Sequence, residues 1–134
     1  MDLDEQIRLF LDGEPFAVVG ASTDRDKYGN KVLRCYQQDQ RRVIPINPSA
    51  PEVEGLGAFP DLASVGEPMH AVSIITPPAI TEQVVEQAIE LGIRQIWMQP
   101  GAESAAAVAR AEAAGLNVIH GGPCLLVVLG YHED

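Results

Sequence analysis

The sequence predicts a doubly wound α/β domain: a mainly parallel sheet of five strands, or six, with helices on both faces. Three observations predict it. Short apolar runs alternate with segments of helical periodicity along the chain, the rhythm of right-handed βαβ units. The runs are almost wholly apolar, as strands buried on both faces require. Four of the five strand candidates end in Gly or Pro turns, at 20, 48, 77–78 and 100–101. In open α/β sheets, ligands bind at the carboxyl ends of the strands, where such turns lie.

Asp2 to Leu11 carries Leu3, Ile7, Phe10 and Leu11 at helical spacing, with acids toward its front end, and Gly13 stops it. Phe16-Ala17-Val18-Val19 reads as a buried strand running directly into Gly20-Ala21-Ser22-Thr23. A polar loop then leads to a helix from about Tyr28 to Asp39, with Val32, Leu33 and Tyr36 facing inward. Arg42 to Asn47 is strand-like and stops at the Asn47-Pro48 turn, after which a Pro/Gly-rich connection holds a short helix near Leu62. The third strand, Ala71 to Thr76, is broken by Pro77-Pro78, and proline can open the following helix because its missing N–H would be unpaired there. That helix shows Ile80, Val84, Ala88, Ile89 and Leu91 on one face, with Gly92 as its stop. Gln95 to Gln99 is a fourth strand, Glu103 to Ala114 an Ala-rich helix, and Asn117 to His120 a fifth strand. Leu125 to Leu129 is equally consistent with strand or helix, which leaves the strand count at five or six.

The whole chain, 1–134, reads as one domain, long enough to bury a core without metals or disulfides. Aromatics make up 5% of it, so the core rests on Val, Ile, Leu and Ala. Nine Lys and Arg against 19 Asp and Glu give a net charge of −10. That balance argues against nucleic acid, which needs a basic footprint, and against an anionic membrane surface. No apolar run reaches the roughly 20 residues of a membrane span, and the start of the chain is acidic where a secretory signal would be basic. Two cysteines, Cys35 and Cys124, make no disulfide framework, so a cytoplasmic location is expected.

The turn after the first strand carries the most chemistry. A glycine there lets the backbone bend sharply and approach a ligand, and small neighbours leave amide N–H groups open. The following helix N-terminus adds positive potential suited to phosphate. The plainer alternative is a turn made small for packing alone. The segment is not the dinucleotide fingerprint: Ser22 and Arg25 stand where G-x-G-x-x-G has its second and third glycines. The acid that would hold the ribose of NAD is absent, and Asn47-Pro48 ends the second strand instead.

Five segments, Val19-Gly20-Ala21-Ser22, Val43 to Pro48, Thr76-Pro77-Pro78, Trp97 to Gly101 and Gly122-Pro123-Cys124, occur in an order that resembles the CoA-binding domain family. These are small stand-alone proteins similar to the CoA-binding Rossmann domain of the succinyl-CoA synthetase alpha subunit. The resemblance implies a Rossmann-like domain, with an N-terminal helix in 1–14 and a nucleotide-binding core over 16–124. It implies that Gly20, Ala21, Ser22 and Thr23 cradle the pyrophosphate of coenzyme A or an acyl-CoA. Asn47 and Pro48 would flank the adenosine, Thr76, Pro77 and Pro78 would border the ligand, and Gln99, Pro100 and Gly101 would lie toward the pantetheine arm. The basic residue that the synthetase carries after the second-strand turn is replaced here by Ser49, Ala50 and Pro51. Arg25, Lys27 and Lys31 are then the nearest partners for the 3′-phosphate, or simply a solvated basic face.

The remaining polar residues assemble no catalytic or metal site. His70, His120 and His132 lack metal spacing. Cys35 reads as a packed helix residue and Trp97 as core. Cys124 follows the Gly121-Gly122-Pro123 turn, where a CoA thiol would arrive, and a redox role there is weighed against an inert buried thiol. The expected function is a CoA-binding or regulatory module rather than an enzyme. The alternatives are a subunit of an acyl-CoA ligase or CoA transferase completed by a separate partner, and a domain for NAD or an adenine nucleotide.

Overall fold

The computed structural model describes residues 1–133; Asp134, the last residue of the expected domain, lies outside them. Helix α1 (Leu3–Leu11) leads into β1 (Phe16–Val19), α2 (Tyr28–Gln38) and β2 (Val43–Ile46). A hairpin of β3 (Glu52–Val53) and β4 (Leu56–Gly57) and a single 3-10 turn (Ala63–Val65) connect to β5 (Ala71–Ile74). There follow α3 (Pro78–Glu90), β6 (Gln95–Met98), α4 (Ala105–Ala113), β7 (Asn117–Ile119) and α5 (Leu125–Leu129). The strand-or-helix ambiguity at 125–129 resolves as helix, because Leu125 is wholly buried against the α2 side of the core.

Five strands form one parallel sheet in the order β2-β1-β5-β6-β7. In β1, Phe16 pairs with Val43 and Ala71, and Val19 pairs with Ile46 and Ile74. A parallel bridge of Ile46 to Phe59 extends the β2 edge by one residue. Counting Phe59 as a vestigial strand gives the order Phe59-β2-β1-β5-β6-β7, that of doubly wound dinucleotide folds. The β3–β4 hairpin was not legible in the sequence: each strand has two residues, too few to show a period.

The pleat sorts the core into two layers. Phe16, Val18, Ala71, Trp97 and Ile119 face α1, α2 and α5, where Phe10 meets the Trp97 ring edge-on at 5.2 Å and Phe16 stacks on Tyr36 at 4.8 Å. Ala17, Val19, Val72, Ile74, Ile96 and Met98 face α3 and α4. Each large aliphatic buried this way stabilises the fold by about 1.5–3 kcal/mol. The chain therefore leaves β1 toward one face, through α2, and leaves β5 toward the other, through α3. Adjacent strands whose helices go to opposite faces make a topological switch point, and β1 and β5 are that pair.

Candidate functional site

At the switch point, Gly20 follows β1 with φ of +100°, a region that side chains rarely adopt. Its N–H donates to the Ile46 carbonyl at 3.3 Å, and a Cβ on it would run into the Ile75 carbonyl. The turn is thus held between the ends of β2 and β5. On its other side, a Cβ on Gly29, in the first turn of α2, would run into the Gly20 carbonyl. Gly29 lets the helix sit directly on the turn, the packing role that the third glycine serves in the dinucleotide fingerprint.

Beyond Gly20, the loop keeps donors open. Among the described residues, no hydrogen bond of this loop uses the amide N–H of Ala21, Ser22 or Thr23. The Ser22 hydroxyl oxygen accepts the Asp24 N–H at 3.1 Å, which leaves its own proton free to donate. Helix α2 has Lys27 at its N-cap, no side-chain cap and no acid in its first turn, so its first amides face the loop with no partner among the described residues. By contrast, α1 and α4 are capped by Asp2 and Ser104. Open amides, a free hydroxyl and an uncapped helix end form a cradle suited to an anion.

Two side-chain amides, the buried Asn30 and the half-buried Asn47, brace this loop. The Asn30 Nδ2 donates to the Ser22 carbonyl at 2.8 Å and to Glu54 at 3.0 Å, while its oxygen accepts the Arg34 Nε at 2.6 Å. The Asn47 Nδ2 donates to the Ala21 carbonyl at 2.8 Å, and its oxygen accepts the N–H groups of Ser49 and Ala50. Asn47 therefore ties the β1 and β2 turns together, with Pro48 exposed beside it. Of the basic residues nominated from the sequence, Arg25 pairs with Glu54 at 3.4 Å and Lys31 with Glu133 at 3.6 Å. Lys27 is exposed and has no ion pair among the described residues. Arg25 and Asp26 also border a cavity of about 420 Å³ that Arg34, Glu54 and Glu133 help to line.

Along the same sheet edge, the Thr76 hydroxyl meets that of the buried Thr81 at 2.8 Å, and Pro77 and Pro78 lie exposed at the start of α3. Pro100 and Gly101 are exposed, whereas Gln99 is fully buried. The Gln99 Oε1 accepts the Tyr28 hydroxyl at 3.0 Å and the Leu125 N–H at 2.9 Å, while its Nε2 has no partner among the described residues. An orphaned buried donor costs about 1–3 kcal/mol. Burial, and then the bond to Cys124, pushes the Tyr28 hydroxyl far above the ordinary phenol range. Cys124, read as a buried thiol if inert, is half-buried, with its sulfur 2.7 Å from the Tyr28 oxygen.

Of the other polar residues, His120 follows β7 at this edge, whereas His70 lies before β5, at the opposite end of the sheet. His70 holds the Phe10 carbonyl at 2.8 Å, and the exposed His120 borders a groove with Glu103, Ser104 and Val108. Trp97 is core, its indole N–H donating to the Pro123 carbonyl at 2.9 Å. Cys35 is buried in α2, and burial followed by the Asp39 charge pushes its thiol up to about 12. No helix is long and apolar enough to cross a membrane among the described residues. Sequence reasoning missed Tyr28, Gly29, Asn30 and Glu54. Asn30, a polar residue three positions before Leu33 on the inward face of α2, was the one legible signal.

A family model described as "CoA binding domain" matches residues 14–130. A conserved hypothetical protein of Pyrococcus furiosus superposes with a TM-score of 0.81 at 33% identity, over 87% of this chain and 99% of that one. A dinucleotide-forming acetyl-coenzyme A synthetase of Ca. Korarchaeum cryptofilum superposes with a TM-score of 0.74 at 29% identity, over 84% of this chain and 26% of that one. An ADP-forming acetate–CoA ligase of Methanocaldococcus jannaschii is 21% identical over 91 residues, 68% of this chain. The chain matches only 13% of that ligase's length.

Proposed function

The chain belongs to the CoA-binding domain family, and from that premise we propose that it binds coenzyme A or an acyl-CoA as a small binding or regulatory module. One observation carries the reading. The switch-point turn leaves the amides of Ala21, Ser22 and Thr23 open and faces the uncapped start of α2, a fit to a pyrophosphate. Asn47 and Pro48 would flank the adenosine from the next turn. Thr76, Pro77 and Pro78 would border the ligand across the switch point. Gln99, Pro100 and Gly101 would meet the pantetheine arm, whose amide carbonyls suit the unpaired Gln99 Nε2. Lys27, free of an internal ion pair among the described residues, and Arg25, an exposed side chain paired with the half-buried Glu54, would meet the 3′-phosphate. Two free cysteines fit a reducing compartment such as the cytoplasm.

A second reading has the chain as one part of an acyl-CoA ligase whose remaining chemistry lies in a separate partner. The likeness to only 26% of an acetyl-coenzyme A synthetase favours it. A thermal-shift series separates the ligands. At 100 times its dissociation constant, CoA should stabilise the fold by about 2.7 kcal/mol, and more than NAD, NADP or ATP at equal concentration. A shift with NAD and none with CoA overturns the reading. Thioester formation from CoA, ATP and a simple acid only when a second protein is added would favour the ligase part.

A further inference from the structure

We propose that Cys124 is a thiol–disulfide exchange site that captures the disulfide form of the coenzyme as a mixed disulfide with one CoA; this rests on the CoA reading above. Cys124 lies at the carboxyl edge of the sheet, directly after the Gly121-Gly122-Pro123 turn, and is half-buried rather than sealed in the core. Its sulfur is 2.7 Å from the hydroxyl of Tyr28, the residue that opens α2 immediately after the anion cradle.

The hydrogen-bond order of this cluster follows from its donors. The Leu125 N–H can only donate, so Gln99 presents its oxygen there, and the same oxygen accepts the Tyr28 hydroxyl. The single phenolic proton is then committed to Gln99, and in this arrangement the Cys124 thiol donates to Tyr28. When that thiol loses its proton to solvent, the Tyr28 hydroxyl can turn from Gln99 to the thiolate, while the Leu125 N–H keeps Gln99 satisfied. Burial holds Tyr28 protonated, so it remains a donor. The independent mark of a ligand here is the Gln99 Nε2: a fully buried side chain, part of this cluster, keeps a donor that no described residue answers.

In the exchange, the Cys124 thiolate attacks one sulfur of the disulfide CoA–S–S–CoA. The new bond from Cys124 to that sulfur forms as the S–S bond breaks. The second CoA leaves as a thiolate and takes a proton from solvent. Cys124 is oxidised and the departing CoA sulfur is reduced, so the disulfide itself is the oxidant. Cys35 cannot substitute, because its thiol is buried and held protonated.

The test incubates the purified chain with CoA disulfide, or with glutathione disulfide at the same concentration, and follows intact mass, peptide mapping and reversal by a reducing thiol. The wild type should gain one CoA on Cys124, at least tenfold faster than it gains glutathione, because the bound nucleotide raises the local disulfide concentration. Cys124→Ser should gain nothing while still binding CoA in calorimetric titration, and Cys35→Ala should react like the wild type. Tyr28→Phe should react more slowly at pH 7, because the attacking thiolate loses its hydrogen-bond donor. A wild type that titrates with CoA yet forms no adduct overturns the proposal and leaves the CoA reading standing. Equal rates with both disulfides, an adduct on Cys35, or a Tyr28→Phe rate equal to that of the wild type also overturn it. If neither the wild type nor Cys124→Ser titrates with CoA, the CoA reading fails, and this proposal with it.

Discussion

The carbonyl of Gly20 occupies the space into which a side chain on Gly29 would grow. Nine positions apart, the two glycines bring the β1 turn and the first turn of α2 into backbone contact. That contact puts the open end of the helix against the open amides of the turn. Gly20 in turn abuts the Ile75 carbonyl, so its lack of a side chain serves the protein's own packing whether or not a ligand is present.

Gly29→Ala should therefore destabilise the fold by about 1–3 kcal/mol, the cost typical of overpacking, because a backbone carbonyl rather than a flexible side chain must give way. Gly20→Ala should cost at least as much, since it adds the strain of φ near +100° to the clash with Ile75. Urea denaturation of both variants checks the order. A Gly20 variant is accordingly a probe of stability first and of binding second.

Ser22→Ala is the cleaner probe of binding. Among the described residues, the hydroxyl oxygen accepts only the Asp24 N–H, so its loss costs the loop little. If its proton bonds a phosphate oxygen, a bond to a charged group worth about 1.5–3 kcal/mol is lost, and CoA affinity should fall roughly tenfold to a hundredfold. Isothermal titration reads the affinity and circular dichroism the fold. Unchanged affinity would mean the phosphates do not use this hydroxyl.

The strands were legible because each is a mainly apolar run and four of the five stop at Gly or Pro turns, as Phe16–Val19 stops at Gly20 and Val43–Ile46 near Pro48. The run at Leu125–Leu129 was not, because five apolar residues suit either state and only packing against α2 decides between them. In the site, Gly20 to Thr23 could be read from chain order alone. Asn30 showed there only as a polar residue on an inward helix face, and its bracing role did not, since its partners Ser22 and Glu54 are 8 residues before it and 24 after it. Asn47 was visible as a turn residue, but its bond to the Ala21 carbonyl exists only once β1 and β2 pair.

Asn30→Ala should cost about 1–3 kcal/mol, because it leaves the Ser22 carbonyl and the Arg34 guanidinium without their buried partner. Asn30→Asp should not rescue it. A carboxylate keeps the Arg34 contact but cannot donate to Ser22, and it would face the Glu54 carboxylate where the amide now donates at 3.0 Å. Chemical denaturation of the pair decides; recovery of wild-type stability by Asp would refute the bracing role.

Stability should fall in alkali, beginning above about pH 9. Burial raises the Cys35 thiol from 9.0 to about 12 in the folded chain. Above pH 9 the unfolded chain has lost that proton and the folded chain keeps it, so each further pH unit favours unfolding by about 1.4 kcal/mol, up to about pH 12. Cys35→Ala should flatten the profile between pH 9 and 10. Above pH 10 a fall should persist, because burial also raises the Tyr36 hydroxyl. Denaturant midpoints across this pH range test the sign and the slope.

The strand that carries the cradle pairs with one neighbour 27 residues downstream and another 55 residues downstream. No stretch of chain that ends before Ile75 can contain the finished turn, so a nascent or truncated front half has no cradle to offer. Such long-range closure also makes the core of the sheet one cooperative unit, late to assemble and slow to open. A molecule seated on Gly20 is then gripped by the whole fold rather than by a lid. Its arrival should slow amide hydrogen exchange in β1 and β5 together, by one common factor.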